Sequence, residues 1–219
     1  MDIEQDKIIF FRERLLDWFK ENGRKFPWRK EELTSYELVI AEVLLQRTRA
    51  ETVAKNFESF LGNFPSWESI NKTGKKELEK VLKPFGLYRQ KAKRLKNLAE
   101  KMVQKEGQFP VVREELEEIP LVGQYIASAV ISYVHEKKAP LLDVNMARLL
   151  ERFFGPRELA DIRYDPYLQE LSKKVVDHPD HQKINWAILD FASSICKKRN
   201  PKCKVCPISG RCEFFQNEG

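Results

Sequence analysis

The four cysteines of this 219-residue chain cluster close to its C-terminus, with the spacing C-x6-C-x2-C-x5-C. They are Cys196, Cys203, Cys206 and Cys212. Four thiolates in so short a segment can surround one compact metal centre, which is either a zinc ion or a [4Fe–4S] cluster. Zinc ribbons usually contain two C-x2-C pairs, and this sequence contains one. The spacing alone therefore predicts a metal site and leaves its metal open.

Two carboxylates stand at positions where they could be catalytic. Asp143 directly precedes a predicted helix, so its side chain could simply cap that helix by accepting backbone N–H bonds. The same carboxylate could instead stabilise positive charge that develops on a sugar carbon and direct a water molecule at it. Glu42 interrupts an apolar stretch, where burial would raise its pKa and make it a proton donor. A salt bridge at the surface is the alternative for Glu42.

The segment IPLVGQYIASAV, residues 119–130, predicts a tight turn that leads into a helix with Tyr125 in its first turn. It looks like the hairpin and second helix of a helix-hairpin-helix element. Consecutive backbone N–H groups in such a turn, beside a helix N-terminus, can bind a phosphate. Hairpins between helices are common, and Leu121 replaces the first glycine of the usual G-x-G pattern. This motif is therefore a weak indication by itself.

The elements that must position these residues are predicted to be helices. Apolar residues recur at spacings of three and four along the chain and nowhere alternate strictly for long, which predicts an all-α fold. The predicted helical segments are a first helix that ends near Asn22, an apolar-rich stretch from Tyr36 to Leu61, and residues 75–82, 90–106, 113–118, 124–134, 144–154 and 183–195.

The composition favours a polyanionic partner. The chain has 39 Lys and Arg against 33 Asp and Glu, a net charge of +6 and a pI near 9.0. Lys198 and Lys204 give the cysteine segment a basic face suited to phosphates, although a solvated loop would look the same. The N-terminal segment lacks a signal-peptide pattern and the apolar runs are short, so we expect a soluble intracellular protein without a membrane segment.

In their order and spacing, these segments resemble the helix-hairpin-helix DNA glycosylases of the endonuclease III superfamily that carry an iron–sulfur loop. The likeness runs from WFKENGRKFPWR through AEVLLQRTRAETV, GLYRQKAKRL and LLDVNMARLLERFFG to NWAILDFASSICKKRNPKCKVCPISGRC. It implies two helical lobes with the active-site cleft between them. One is a six-helix barrel with the helix-hairpin-helix, residues 30–134, and the other is formed by 1–29 and 135–219. A [4Fe–4S] cluster would bind the four cysteines in the loop 196–212.

The resemblance also implies a reaction. Bifunctional members carry a lysine in the hairpin helix that attacks the sugar C1′ and then cleaves the DNA backbone through a Schiff base. Tyr125 stands at the matching position, and a phenol cannot form that imine, so a monofunctional glycosylase without AP-lyase activity is implied. Asp143 matches the family's essential aspartate, and Glu42 matches a glutamate of the mismatch-specific members. Together, Tyr125 and Asp143 resemble the thymine-DNA mismatch glycosylases, which remove thymine or uracil opposite guanine.

Two other functions remain open. The adenine glycosylases, which act on adenine opposite guanine or 8-oxoguanine, also contain segments that resemble NWAILDFASSIC and LLQRT. They usually carry a further C-terminal domain and a smaller hydroxyl residue in place of Tyr125. The seven residues after Cys212 leave no room for that domain, so we expect thymine and uracil to be the substrates. The second alternative is a non-catalytic structural DNA-binding protein, which Leu121 in the hairpin keeps open.

Base excision requires the target base to leave the helical stack, and the resemblance assigns residues to the space it vacates. Arg47 and Leu87 resemble the residues that insert into the DNA. Gln46 and Arg49 are neighbours that could read the opposite guanine. In the alternative interpretation Leu87 is a core residue and the arginines contact phosphates.

The remaining expectations concern the partner. Backbone N–H groups near Val122, Gly123 and Tyr125 would hold the DNA backbone 3′ of the lesion. We expect a monomer that binds double-stranded DNA containing a mismatched or damaged base, in the cytoplasm and associated with the nucleoid.

Overall fold

The computed structural model describes residues 5–30 and 32–218, and these residues form helices and loops without any strand. The predicted all-α fold is confirmed. The α-helices are α1 (Gln5–Asn22), α2 (Ser35–Leu45), α3 (Ala50–Asn63), α4 (Trp67–Lys72), α5 (Lys75–Leu82), α6 (Tyr88–Gln104), α7 (Arg113–Glu117), α8 (Gln124–Ala129), α9 (Val144–Phe154), α10 (Pro166–Val176), α11 (His181–Ser194) and α12 (Glu213–Glu218). A π-helical turn, Val130–Val134, extends α8.

The chain forms two compact units. One comprises Lys25–Glu136, called the central unit below, and the other joins the described residues up to Arg24 with those from Lys137 onwards, called the terminal unit. The predicted division at residues 30 and 134 differs from this one by a few residues. Residues 1–4 and 219 of the predicted terminal lobe, and residue 31 of the predicted barrel, lie outside the described residues.

The central unit is built around α2. Every residue of this helix from Val39 to Leu44 is buried, as is Tyr36. A helix that is apolar on nearly all sides has to be enclosed by other elements, and α2 meets α3, α8 and the π-turn that follows α8. Its start is set by a capping box, in which the Thr34 hydroxyl accepts the Glu37 N–H while the Glu37 carboxylate accepts the Thr34 N–H.

The terminal unit has a core of its own, in which α9 packs with α1, α10 and α11. The predicted face of α9, with Met146, Leu149, Leu150 and Phe153, is buried. The C-terminal end of α1 is tied to α11 because the fully buried Asp190 accepts hydrogen bonds from the Arg24 N–H (2.8 Å) and Nε (2.9 Å). A buried carboxylate of this kind needs such partners to remain stable.

Three helices were missed by the sequence pattern, namely α4, α10 and the six-residue α12. Helix α4 is too short for a periodic signal, and only its N-cap, Ser66, marks its start. Helix α10 begins with Asp165 as N-cap followed by Pro166 at the first helical position, which is a recognisable start signal. None of the helices in the described part of the chain is both long and apolar enough to cross a bilayer.

Candidate functional site

Glu42 lies in the middle of α2 with only 6% of its surface exposed. Its neighbours along the helix, Ala41 and Val43, are buried as well. The structure therefore places this carboxyl group inside the central unit. The predicted rise in its pKa stays a prediction.

A cavity of about 280 Å³ opens in the central unit next to the C-terminal end of α2. It brings together three of the predicted DNA contacts with the hairpin residue Leu121. Its lining residues are Val43, Gln46, Arg47, Leu87, Gln90, Lys91, Arg94 and Leu121. Leu87 is 49% exposed, so it is not the core residue of the alternative interpretation. Arg49 is exposed as the N-cap of α3 and does not line this cavity.

Three residues that line the cavity have a left-handed backbone although none is glycine. Their φ angles are 55° for Arg47, 46° for Leu87 and 76° for Leu121. This conformation costs an L-residue roughly 1–2 kcal/mol, because Cβ approaches the following carbonyl oxygen. It persists only where the surrounding structure demands it, and such positions are often functional.

The backbone of Leu121 shows how the hairpin turn forms with a leucine in place of the usual first glycine. The leucine takes the positive φ that a glycine would adopt, so the turn forms without the first glycine of the usual pattern. Within the turn, the Val122 N–H donates to Ile119 O (3.0 Å) and the Gly123 N–H to Leu121 O (3.2 Å). These two amides, predicted to hold a phosphate, thus make bonds inside the turn.

Gly123 and Tyr125 occupy the start of α8. Gly123 is exposed, has an ordinary φ of −90°, and a Cβ added to it would meet nothing within 4 Å. The fold itself therefore does not require glycine at this position. Tyr125 is the second residue of the helix and half-buried, with its side chain against the core of the central unit.

In the terminal unit, Asp143 is the N-cap of α9, as the structural interpretation of this residue predicted. Its Oδ1 accepts the N–H groups of Asn145 (2.9 Å) and Met146 (2.8 Å), and its Oδ2 accepts the Asn145 Nδ2–H (2.7 Å). The residue is partly exposed. These three bonds hold the carboxylate in one orientation and still leave acceptor capacity on Oδ2.

Two residues that the sequence reasoning missed extend this network. The Arg148 Nη1–H donates to Asn145 Oδ1 (3.1 Å), while its Nε donates to Cys196 O (3.0 Å) and its Nη2 to Ala192 O (2.9 Å). The Asp143 carboxylate is therefore linked, through Asn145 and Arg148, to the backbone of the first cysteine. The helical i,i+3 spacing of Asn145 and Arg148 was the available signal.

The four cysteines are thiols, all partly buried, and they line one pocket of the terminal unit. Among the described residues, no three His, Cys, Asp or Glu side chains converge closely enough to hold a single metal ion. Burial raises the pKa of Cys206 to about 11 and that of Cys212 in the same direction. The thiols thus surround a space without meeting at one point.

Arg152 on α9 supports the segment that carries these cysteines. Its guanidinium donates to Lys197 O (2.7 Å) and to Cys196 Sγ (3.5 Å), and Cys212 Sγ in turn lies 3.2 Å from Arg152 O. Lys198 and Lys204 are both exposed, as the predicted basic face requires.

Comparison with known proteins gives a consistent result. The family model of the HhH-GPD superfamily base excision DNA repair proteins matches residues 40–175, which include Glu42, the cavity, the hairpin and Asp143. The thymine-DNA glycosylase of Aeropyrum pernix is 33% identical over 221 residues, which cover 99% of each chain. The thymine/uracil-DNA glycosylase of Methanothermobacter thermautotrophicus is 33% identical over 98% of this chain and 97% of that protein. The solved structure of a thermostable thymine-DNA glycosylase matches with a TM-score of 0.91 and 32% identity over 99% of this chain and 100% of that chain.

The strain at Leu121 can be measured with two substitutions that both remove the side chain beyond Cβ. We expect Leu121→Gly to be more stable than Leu121→Ala by about 1 kcal/mol in chemical denaturation, because only glycine adopts the left-handed conformation without a steric cost. At the helical position Ala54 the order is reversed, and Ala54→Gly should lose about 1 kcal/mol. An alanine variant at position 121 as stable as the glycine variant would contradict this account.

Proposed function

Because this chain belongs to the HhH-GPD superfamily of base excision DNA repair proteins, we propose that it is a monofunctional DNA glycosylase for thymine or uracil opposite guanine. Two relatives that match nearly its whole length are named for thymine and uracil, which supports this substrate class. The observation that carries the proposal is the presence of Tyr125 in the hairpin helix of a chain that also contains Asp143. A lysine at position 125 would instead indicate a lyase.

We propose that the enzyme extrudes the target base from the DNA and fills the vacated space with residues of the cavity rim. Leu87 and Arg47 suit this role because both are exposed and both stand on turns with a defined, left-handed backbone. Gln46 and Arg49 are proposed to read the opposite guanine, for which a guanidinium or an amide donor is suited. Apolar insertion compensates for the lost stacking of the extruded base.

Asp143 is the proposed catalytic carboxylate. Hydrolysis of an N-glycosidic bond develops positive charge on the sugar, and a fixed carboxylate stabilises that charge in the transition state. The cap bonds from Asn145 and Met146 hold the group in place, while Oδ2 retains a lone pair with which it can orient the attacking water. Helix capping and catalysis are thus compatible functions of one side chain.

Glu42 and Tyr125 are proposed to act on the departing base. In its neutral form, the buried Glu42 would donate a hydrogen bond or a proton to the base. Tyr125 would stack on the base or orient it. Thymine and uracil leave as anions of modest basicity, so donation at a carbonyl suffices, whereas adenine has a stricter need for protonation.

The DNA backbone is proposed to contact both units. At the hairpin, the absent side chain of Gly123 allows a close approach by an external group, which explains a glycine that the fold does not need. Val122 is 2% exposed and its N–H donates to Ile119 O, so it would contribute by holding the turn that presents Gly123. In the terminal unit, Lys198 and Lys204 would contact phosphates.

We propose that the four cysteines hold a [4Fe–4S] cluster. Each cysteine of such a cluster binds a different iron atom, and four thiols around one shared pocket fit that requirement. When bound, the cluster would supply a redox-active centre and would hold the cysteine loop in place. Arg152 and the cysteines would hold the loop with Lys198 in a fixed shape.

The remaining features of the proposal concern the whole molecule. The central unit, as the helix-hairpin-helix barrel, would supply the inserting residues, and the terminal unit would supply Asp143 and the cluster. The protein would act as a monomer on double-stranded DNA, in the cytoplasm and associated with the nucleoid.

A panel of duplexes with each candidate lesion opposite each base tests the activity. We expect the purified protein to excise thymine from G·T and uracil from G·U and to leave an abasic site that breaks only after alkali. Tyr125→Lys should then gain strand cleavage and a borohydride-trapped covalent complex, because an amine at this position can form a Schiff base. Trapping with the wild type would contradict the role of Tyr125. Preferred excision of adenine would establish the first alternative, and binding without any excision the second.

Asp143→Asn separates capping from catalysis. Asparagine caps helices as well as aspartate does, so the free energy of unfolding should change by less than about 0.5 kcal/mol. Single-turnover excision should fall by at least about a hundredfold, because the amide carries no negative charge. Asp143→Ala should lose about 1 kcal/mol of stability along with the activity. Full turnover by Asp143→Asn would leave this residue with a structural role alone.

Metal analysis tests the cluster. Protein purified without oxygen should be brown and contain iron and acid-labile sulfide in equal amounts, and Cys203→Ser should lose both. The exposed Val205 lies in the same loop, so Val205→Ser should retain them and serves as the control. A colourless protein with one bound zinc per chain would refute the cluster.

A further inference from the structure

Helix α6 carries two lysines whose ammonium groups close the C-terminal ends of other helices. Lys91 Nζ donates to Val43 O (3.3 Å), Leu44 O (2.9 Å) and Gln46 O (2.7 Å), at the end of α2. Lys96 Nζ likewise binds three carbonyl oxygens at the end of α4, those of Ile70, Asn71 and Thr73. Both lysines donate to carbonyl groups at the end of a helix, where intrahelical partners run out, and a cation at this end also favours the helix dipole.

The two lysines differ in their burial and in their position relative to the cavity. Lys91 is 6% exposed and lines the cavity, and one of its three acceptors belongs to Gln46, directly before the left-handed Arg47. Lys96 does not line the cavity. The chain therefore provides two equivalent helix caps, of which only one is attached to the proposed DNA-inserting residues.

Lys91 is bound to both of the turns that carry these residues. Its backbone N–H donates to Leu87 O (2.9 Å), while its ammonium group donates to Gln46 O. A second link runs in parallel, from the Thr48 hydroxyl to Phe85 O (2.7 Å). Without these links, the turn that contains Gln46 is held mainly by its own short-range bonds, Gln46 N–H to Val43 O (3.3 Å) and Thr48 N–H to Leu45 O (3.0 Å).

The ammonium group of Lys91 is buried at a cost. Burial, with the neighbouring Arg94 acting in the same direction, lowers the pKa of Lys91 to about 8. The charged side chain is thus costly to bury, whereas an apolar side chain of similar length would fill the same volume without that cost. An apolar side chain would lack the donors that bind the carbonyl groups at the end of α2 and the Gln46 carbonyl group of the following turn.

We propose that Lys91 is a positioning residue for base recognition, which locks the Gln46–Arg47 turn to the Leu87 turn so that both enter the DNA as one preformed unit. This inference rests on the proposed function. Its physical basis is preorganisation, because residues that are already in place on binding lose less conformational entropy, and a misplacement of about 1 Å can cost a large part of the rate. Lys91 would act through Gln46, Arg47 and Leu87 and would not touch the reacting atoms.

The matched pair Lys91→Met and Lys96→Met tests the proposal. Each substitution removes one three-carbonyl cap, so we expect similar losses of stability in denaturation. At a temperature where both variants are folded, Lys91→Met should slow single-turnover excision of thymine from G·T by about tenfold or more, and Lys96→Met should stay within about twofold of the wild type. Lys91→Met should also reduce the preference for guanine as the opposite base. Equal effects of the two variants, or none from Lys91→Met, would overturn the proposal.

A binding measurement tests the role of Lys91 independently of the proposed reaction. In duplexes with 2-aminopurine beside the mismatch, wild-type protein should raise the fluorescence as the stack opens, and Lys91→Met should raise it less at saturating protein. If the wild type excises no base, the proposed function fails, and this fluorescence still decides the role of Lys91. Thr48→Val removes the parallel link and should reproduce the effect even if Lys91→Met does not fold. Unchanged fluorescence in every variant that folds would refute the positioning role.

Discussion

The enclosure of α2 is the constraint from which the arrangement of the central unit follows. Because the helix is buried on nearly every side, its last carbonyl groups cannot rely on water for hydrogen bonds. The protein must supply donors, and the Lys91 ammonium group supplies three hydrogen bonds from a single point. The same ammonium group also holds the turn that follows α2, because one of its three acceptors is the Gln46 carbonyl oxygen. The same enclosure places Glu42 inside the unit.

Three of the six described non-glycine residues with a positive φ lie where the proposed DNA contacts are. Arg47, Leu87 and Leu121 come from three separate turns, yet they line one cavity, and each has a positive φ. A relaxed backbone at any of them would direct the side chain elsewhere. The cost of these conformations is borne by the surrounding packing, which is how strained residues are retained at functional positions. The cavity rim is thus preformed before any DNA binds.

In the terminal unit, α9 connects the proposed catalytic carboxylate with the cysteine segment. Asp143 caps the start of this helix, and Arg148 and Arg152, four residues apart on it, bind the backbone at Cys196 and Lys197. The carboxylate proposed to serve the reaction and the arginines that hold the cysteine segment therefore share one rigid element. This arrangement gives the loop a structural connection to the site, whatever further role a bound cluster has.

Sequence pattern alone determined the all-α class, the buried face of α9, the cysteine set and the resemblance to a superfamily of base excision repair proteins, which the family match confirms. These features are local, because periodicity, caps and motif spacing each depend on residues within a few dozen positions of one another. Only the tertiary structure decided that Leu121 has a left-handed backbone, that Leu87 is exposed, and that Lys91 joins two turns. Each of these depends on contacts between distant parts of the chain, such as Lys91 with Leu44, 47 positions away. No local sequence pattern indicates which carbonyl group a buried ammonium group will contact in the folded protein.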